Sequence, residues 1–442
     1  MAKQRTSLFS GQAPAMDSLA FRLAGAADAV RQVSAGRSLP DALQATFTAL
    51  NVDAASRGAI QDIAYNAMRK LGSARFLIGK LTKYPPAPEM LQHLLACAFA
   101  LLVRHDNLPL RYEPFTTVNQ AVQAASAIRG TAKAKGLVNA VLRHFLREQD
   151  QFEQMVNQDE VAQWNYPAWW IARVRKHYPN QWQSILTVGN QPPPLTLRVN
   201  QRRTTPEGYL ENLHKKGLKA DIIGPSAIRL SRPLPVNQIP GFMEGLVSVQ
   251  DYAAQMAAPL LDLKDGMRVL DACAAPGGKS AHMLELADIR LTALDCEKKR
   301  LKMIHENLHR LGLSAEVRHG DATLSDWWDG TLFDCILADV PCSASGIIRR
   351  HPDIRWLRQP EDSHNLATLS AAILENLWGK LRKGGKLLIA TCSIWPEESK
   401  EQADFFAFRA DAKRLDAFGQ LLPTFDGLND HDGLFYGLFQ KT

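Results

Sequence analysis

Beyond about Val247, short apolar runs alternate with stretches of helical spacing, and this alternation constrains the chain more than any other feature. The runs are MRVLDA, IRLTALD, AEVRHG, FDCILAD and GKLLIAT. Strands joined by crossover helices lie parallel, so residues 247–442 are expected to form a doubly wound, Rossmann-like α/β sheet covered on both faces. Ligands of such sheets bind beyond the carboxyl ends of the strands, near the point where strand order reverses. The residues that close each strand are therefore the candidates for chemistry.

The first run leads into DACAAPGGKS, Asp271 to Ser280. Its Ala-Ala-Pro-Gly-Gly core lets backbone approach a ligand, and the helix after it can turn its N-terminus toward an anionic group. The spacing is neither GxGxxG nor GxxxxGK[ST], which argues against a dinucleotide and against a P-loop. The second run ends at Asp295, the usual place for a carboxylate that holds two ribose hydroxyls; the competing role is to cap the helix that begins near CEKKRL. The third ends in HGDAT, where Asp321 is placed to accept from an adenine amino group. A glycine loop with carboxylates at the next two strand ends suits a nucleoside carrying a zwitterionic tail, S-adenosylmethionine, better than it suits NAD.

Two later strands end in cysteine: Cys342 in ADVPCS and Cys392 in LLIATCS. Parallel neighbours present their carboxyl ends side by side, so both thiols can face one cleft. The other four cysteines read differently. Cys97 in an apolar helix and Cys335 inside a strand are core packing, Cys296 beside Asp295 is structural, and Cys273 sits where the loop backbone matters more than sulfur. No CxxC or Cys/His cluster has ligand spacing, so no metal is expected. A reactive thiol suits methyl transfer to carbon 5 of cytosine. That carbon is a poor nucleophile until a thiolate adds to carbon 6 and turns the ring into an enamine. Asp339, three residues before Cys342, is placed to stabilise charge that develops at the pyrimidine N3. A second thiol would assist expulsion of the first. Residue chemistry alone does not choose which sulfur attacks.

At 442 residues the chain is long enough for two or three domains. Residues 1–16 read as a flexible polar tail. Residues 17–150 are patterned as an all-α bundle, through LAFRLAGAADAVRQV, AASRGAIQDIAYNAMRKL, MLQHLLACAFALLVRH and FTTVNQAVQAASAI, punctuated by YPPAPE and DNLP. A small α/β module is expected over 160–246, with strands LTLRVN, KADIIG and AIRLS. Its helix is capped by Thr205, opened by Pro206 and closed by Gly217. The formal net charge of +7 suits a polyanionic partner. Arg129, Lys133, Lys135, Arg143 and Arg147 lie beside an apolar stripe and form either a solvated basic face or an RNA-facing one. In IIRRHPDIRW, Arg349, Arg350, His351 and Arg355 follow the Cys342 loop. They are read as RNA contacts, the alternative being an exposed basic loop anchored by a buried Trp356. The start of the chain lacks a signal pattern and no long apolar run exists, so a cytoplasmic protein with reduced cysteines and no membrane partner is expected. Nothing in the sequence asks for an obligate oligomer, and a monomer is expected.

DACAAPGGKS, LADVPCSASGIIRRHPDIRW, ATCSIWPEE and the terminal DGLFYGLF resemble the successive motifs of the RNA cytosine-5 methyltransferase family. VNAVLRHF and the helical segment before it resemble a NusB-like RNA-binding domain. The resemblance spans nearly the whole chain from Asp17. It implies S-adenosylmethionine as cofactor and, from the domain order, 16S (small-subunit) ribosomal RNA or an assembly intermediate of that subunit as partner. In that family the cysteine of TCS, here Cys392, is the nucleophile, and the cysteine of PCS, here Cys342, assists product release. Cys273, Ala274, Ala275, Pro276, Gly277, Gly278, Lys279, Asp295, Asp321 and Asp339 match its cofactor positions; Asp339 serves cofactor, base or both. Val340, Cys296 and the GLFYGLF run depart mildly from the pattern, and none removes a reacting group. The rival readings are a cytosine-5 methyltransferase for transfer RNA or another ribosomal site, and an inactive RNA-binding assembly factor.

Overall fold

The computed structural model describes residues 8–104, 110–427 and 430–442. Residues 1–7 of the expected tail and the DNLP punctuation lie outside the described residues. The chain divides into two compact units. One runs through Gln191 and includes the excursion His351–Arg358; the other holds Pro192–Arg350 and Gln359–Thr442. Among the described residues, no helix is long and apolar enough to cross a membrane.

The first unit is helical, as its period of apolar residues predicts. Helix Met90–Leu102 is apolar around its whole circumference and buries every residue except Gln92, so the other helices pack around it. Cys97 lies there, fully buried. Phe99 meets Phe145 of helix Lys135–Arg147 edge to face at 5.3 Å. The expectation of a loose tail fails at its described end. The Ser10 N–H donates to the Ala127 carbonyl at 3.1 Å, and Phe9 is buried against Phe21, because an aromatic ring has more to gain from the bundle than from water. Helices Glu160–Trp164, Ala168–His177 and Trp182–Asn190 belong to this unit, so the start of the expected 160–246 module packs with helices and not with strands.

His351–Arg358 also belongs here. Asp353 accepts from the Leu39 N–H at 2.8 Å, and the Trp356 indole donates to the Met68 carbonyl at 3.0 Å. Arg355 is fully buried. It donates to the carbonyls of Asn165 (3.1 Å) and Gly189 (2.6 Å) and to the Asn190 side chain, with its guanidinium 3.8 Å from the Tyr166 ring centre. A basic loop exposed to RNA was expected; instead this arginine is an internal tie.

The second unit begins with a four-stranded antiparallel sheet: β1 (Leu195–Val199), β2 (Ala220–Ile222), β3 (Ala227–Leu230) and β4 (Val247–Val249), in the order β2-β3-β1-β4. The helix Pro206–Lys215 starts and stops where the sequence says: Thr205 accepts from the Gly208 N–H, and Gly217 takes φ +71°. The seven-stranded sheet follows, built from β5 (Arg268–Ala272), β6 (Arg290–Asp295), β7 (Glu316–His319), β8 (Phe333–Asp339), β9 (Leu381–Thr391), β10 (Ala412–Leu421) and β11 (Leu434–Lys441). Its order is β10-β11-β9-β8-β5-β6-β7. The five strands expected from the sequence are parallel. The two C-terminal strands are antiparallel, which makes the sheet mixed and corrects the wholly parallel expectation. Strand order reverses between β5 and β8, so the DACAAPGGKS loop and the Cys342 loop leave the sheet side by side. A buried ion pair joins the two sheets to the site: Arg198 of β1 bonds both oxygens of Glu285 at 2.8 Å and the Gly278 carbonyl at 2.9 Å.

Arg355→Ala strands three acceptors, two of them buried, and is expected to lower unfolding free energy by about 2 kcal/mol or more in urea titrations. Arg143→Ala, at an exposed position, is expected to stay within about 0.5 kcal/mol of the parent protein.

Candidate active site

The loop after β5 is shaped by its own backbone. Gly277 holds φ +94°, and a Cβ there would lie 3.2 Å from the Ile304 Cα, so a side chain would push the loop off helix Lys298–Leu311. The helix that follows, Gly278–Leu286, carries Lys279 and Ser280 in its first turn. Ser280 donates to Asp271, a fully buried carboxyl that burial pushes up to about 7 despite that bond. Among the described residues, the other Asp271 oxygen is buried with no partner. Lys279 Nζ lies 2.6 Å from Asp339 Oδ2 at the end of β8. Burial works against the Lys279 ammonium, but the charges of Asp339, Cys392 and Asp271 outweigh it and hold its pKa above the ordinary lysine value.

Asp295 closes β6 and is almost fully buried. It accepts from the Ala275 N–H at 2.9 Å and the Glu297 N–H at 3.0 Å, so it both fixes the glycine loop and serves the start of the next helix. Asp321 is exposed beyond β7, with one oxygen accepting from the Thr323 N–H and hydroxyl, each at 2.8 Å. Of the loop residues, Ala274 and Ala275 are buried and the Ala274 N–H donates to the Leu294 carbonyl at 2.9 Å. Cys273 takes φ +62°, and burial pushes its thiol well up, as expected of a residue there for its backbone.

The two strand-end cysteines meet. Cys342 Sγ and Cys392 Sγ are 3.4 Å apart, both half-buried and both free. The hydrogen bond to Cys392, and then burial, push the Cys342 thiol far up. The remaining cysteines divide partly as expected: Cys97 and Cys335 are core residues, while Cys296 is exposed and not packed, because its helix starts two residues later at Lys298.

The arginines after the Cys342 loop correct the sequence reading. Arg349 is buried and bonded to Asp430 (2.6 Å) and Asp432, and Arg350 pairs with Asp251 (2.9 Å) and Asp432. Three acidic residues on other segments consume their charge, so with Arg355 they are structural; His351 is half-buried. Arg129, Lys133, Lys135, Arg143 and Arg147 are exposed on the helical unit. Sequence reasoning did not single out Asp271, Ser280 or Glu398 as separate from their motifs. A polar residue in the middle of an apolar run, as in RVLDA, is the signal that would have flagged Asp271.

The site defines a class of proteins that set a glycine loop beside paired thiols at the strand ends, and the comparisons with known proteins narrow the class. The family described as 16S rRNA methyltransferase RsmB/F matches residues 258–431, a ferredoxin-like domain of RsmF/B-like methyltransferases matches 166–237, and the NusB family matches 22–147. Ribosomal RNA small subunit methyltransferase B of Vibrio vulnificus is 38% identical over 95% of this chain and 99% of its own length. The protein of the same name from Klebsiella pneumoniae is 38% identical over 94% and 97%. The crystal structure of PH0851 superposes with a TM-score of 0.75 at 22% identity, over 96% of this chain and 99% of that one, a likeness of fold. A methyltransferase homolog protein from Pyrococcus horikoshii gives 0.56 at 25% identity, over 64% and 97%. The chain belongs to the 16S rRNA methyltransferase RsmB/F family.

Asp271 sets a pH dependence with a definite sign. Its folded pKa lies above the ordinary carboxylate value, so between about pH 4 and 7 the folded state holds a proton that the unfolded state has lost. Stability from this residue therefore falls as pH rises across that window. Asp271→Asn is expected to flatten the decline, read as urea midpoints of both proteins at pH 5 and pH 8.

Proposed function

We propose that the protein transfers a methyl group from S-adenosylmethionine to carbon 5 of a cytosine in small-subunit ribosomal RNA. The observation that carries this reading is the pair of thiols 3.4 Å apart at the ends of adjacent parallel strands, beside the glycine loop. The family's RsmB/F description, and the names of the Vibrio and Klebsiella relatives, support the substrate class.

The residues present fit S-adenosylmethionine. Asp271 leaves a buried acceptor without a partner where β5 ends, Asp321 leaves one carboxylate oxygen uncommitted, and Asp295 retains lone pairs beyond its two N–H bonds. Acceptors of this kind suit ribose hydroxyls, an amino group and a cationic tail. Cys273 to Lys279, Asp295, Asp321 and Asp339 would hold the cofactor, which supplies the methyl group when bound.

Cys392 is the nucleophile in this reading. Its sulfur forms a bond to carbon 6 of the cytosine, and the displaced π pair makes carbon 5 nucleophilic. The Asp339–Lys279 pair takes the N3 side of the ring, where negative charge develops: the ammonium supplies positive charge, and the Asp339 carboxyl serves there as a proton-bearing donor to N3. After methylation the carbon 5 proton leaves and its electron pair forms the carbon 5–carbon 6 double bond as the carbon 6–sulfur bond breaks. Cys342 gives its proton to the departing Cys392 sulfur and takes up the one from carbon 5, and Cys392 ionises again, so one proton is released per turnover. Arg129, Lys133, Lys135, Arg143 and Arg147 offer exposed positive charge to RNA phosphates.

Cys392→Ala is expected to lose methyl transfer by at least about 10⁴-fold in a tritiated-methyl assay on small-subunit RNA, with an unchanged melting temperature. Cys342→Ala is expected to accumulate protein covalently bound to RNA, seen as a slow band on denaturing gels. Near-parental turnover by the Cys392 variant contradicts the nucleophile assignment, and absence of the band contradicts the release role.

A further inference from the structure

One buried carboxylate ties the two cysteine loops together. Glu398 closes the 3-10 turn Pro396–Glu398 and is 1% exposed. Its Oε1 accepts from the Ser343 N–H at 2.7 Å, and its Oε2 accepts from the hydroxyls of Ser343, at 2.6 Å, and Ser393. Ser343 and Ser393 are the residues that directly follow Cys342 and Cys392. The lock continues through Ser345, whose hydroxyl lies 3.0 Å from that of Ser393 and accepts from the Ile394 N–H at 2.9 Å.

Burying a carboxylate costs several kcal/mol, and packing alone could hold two loops together without it. The charge itself needs an explanation. Glu398 is near enough for its charge to act on Cys342, while Lys279 feels the charge of Cys392.

We propose that Glu398 is a positioning residue of the two-thiol site. Its carboxylate locks Ser343 and Ser393, and through them holds the two sulfurs in contact at 3.4 Å. The inference rests on the reading that Cys392 attacks and Cys342 releases. It concerns how the two cysteine loops are held so that their sulfurs meet: one carboxylate bonds the residue after each cysteine.

The test is Glu398→Gln in the full-length protein, which keeps size and removes charge. Among the described residues, the charged and titratable groups around the pair include Glu398, which acts on Cys342, and Lys279 and Tyr436, which feel Cys392 and also Asp339. Iodoacetamide labelling of the protein alone, resolved by peptide mass spectrometry across pH 6 to 10, reads Cys342 directly. The glutamine variant is expected to label Cys342 at least about tenfold faster at pH 8. It is also expected to lose at least about tenfold in kcat with the donor KM within about twofold. Parental labelling and parental kcat together would overturn the proposal. Should the variant not fold, Ser393→Ala keeps the charge and frees one loop. A loss in kcat of about threefold or more with parental Cys342 labelling supports the lock, and a parental kcat refutes it. Because labelling needs no RNA, it stays readable if the cytosine reading itself fails for want of a covalent band from Cys342→Ala.

Discussion

The parallel pairing of β8 with β9 is the constraint on which the site depends. The register sets Asp339 against Ala390, and the Val340 N–H continues the ladder to the Ala390 carbonyl at 3.1 Å. The chain past β8 then folds back, and the Gly346 N–H donates to the Cys392 carbonyl at 2.8 Å. A residue with a side chain does not fit at that return: a Cβ on Gly346 would lie 2.1 Å from the Gly433 carbonyl oxygen. Backbone geometry of one strand pair thus brings together two sulfurs that are 50 residues apart in the chain. A one-residue slip would turn them to opposite faces.

Around this pair the fold places an unusual amount of buried charge. Asp251, Arg349, Arg350, Asp430 and Asp432 form one network at the far end of the Cys342 loop. Burial, and then the neighbouring Asp432, push the Asp251 carboxyl up to about 6, while two guanidiniums pull Asp432 down against its own burial. Charged networks of this kind contribute little net stability but penalise any other arrangement of the loop. The Arg198–Glu285 pair does the same for the helix that opens at the glycine loop. The glycine loop and the Cys342 loop are therefore each held at both ends, one by strand β5 and the Glu285 helix, the other by strand β8 and the arginine network.

How far the sequence revealed this can be judged from particular elements. Strands β5, β6 and β8 and the second half of β9 were legible as apolar runs with an acid or a cysteine at or near their ends, and the polar β7, EVRH, from its place in the alternation. The helix after Thr205 was legible from its cap, its proline and its glycine. Strand β10 was not, since AKRLDAFGQL is a half-exposed edge strand with charges on its outward face and no continuous apolar run. Both cysteines of the site could be nominated from strand-end position, and the loop acids likewise. The fate of Arg349, Arg350 and Arg355 could not be read. A basic cluster looks the same whether it meets RNA or meets Asp251, Asp430 and Asp432, which lie about 80 to 100 residues away in the chain. Glu398 was hidden for the same reason, since its Ser343 partner, 55 residues away, becomes a neighbour only once β8 and β9 pair.

The central claim is a division of labour in which Cys392 bonds the base and Cys342 releases it. It is tested most directly by trapping the protein on small-subunit RNA in which 5-fluorocytosine replaces cytosine, with S-adenosylmethionine present. Fluorine at carbon 5 cannot leave as a proton, so the adduct persists and its peptide can be sequenced by mass spectrometry. The account predicts the pyrimidine on the peptide that contains Cys392, with Cys342 unmodified. A pyrimidine on Cys342 would contradict it.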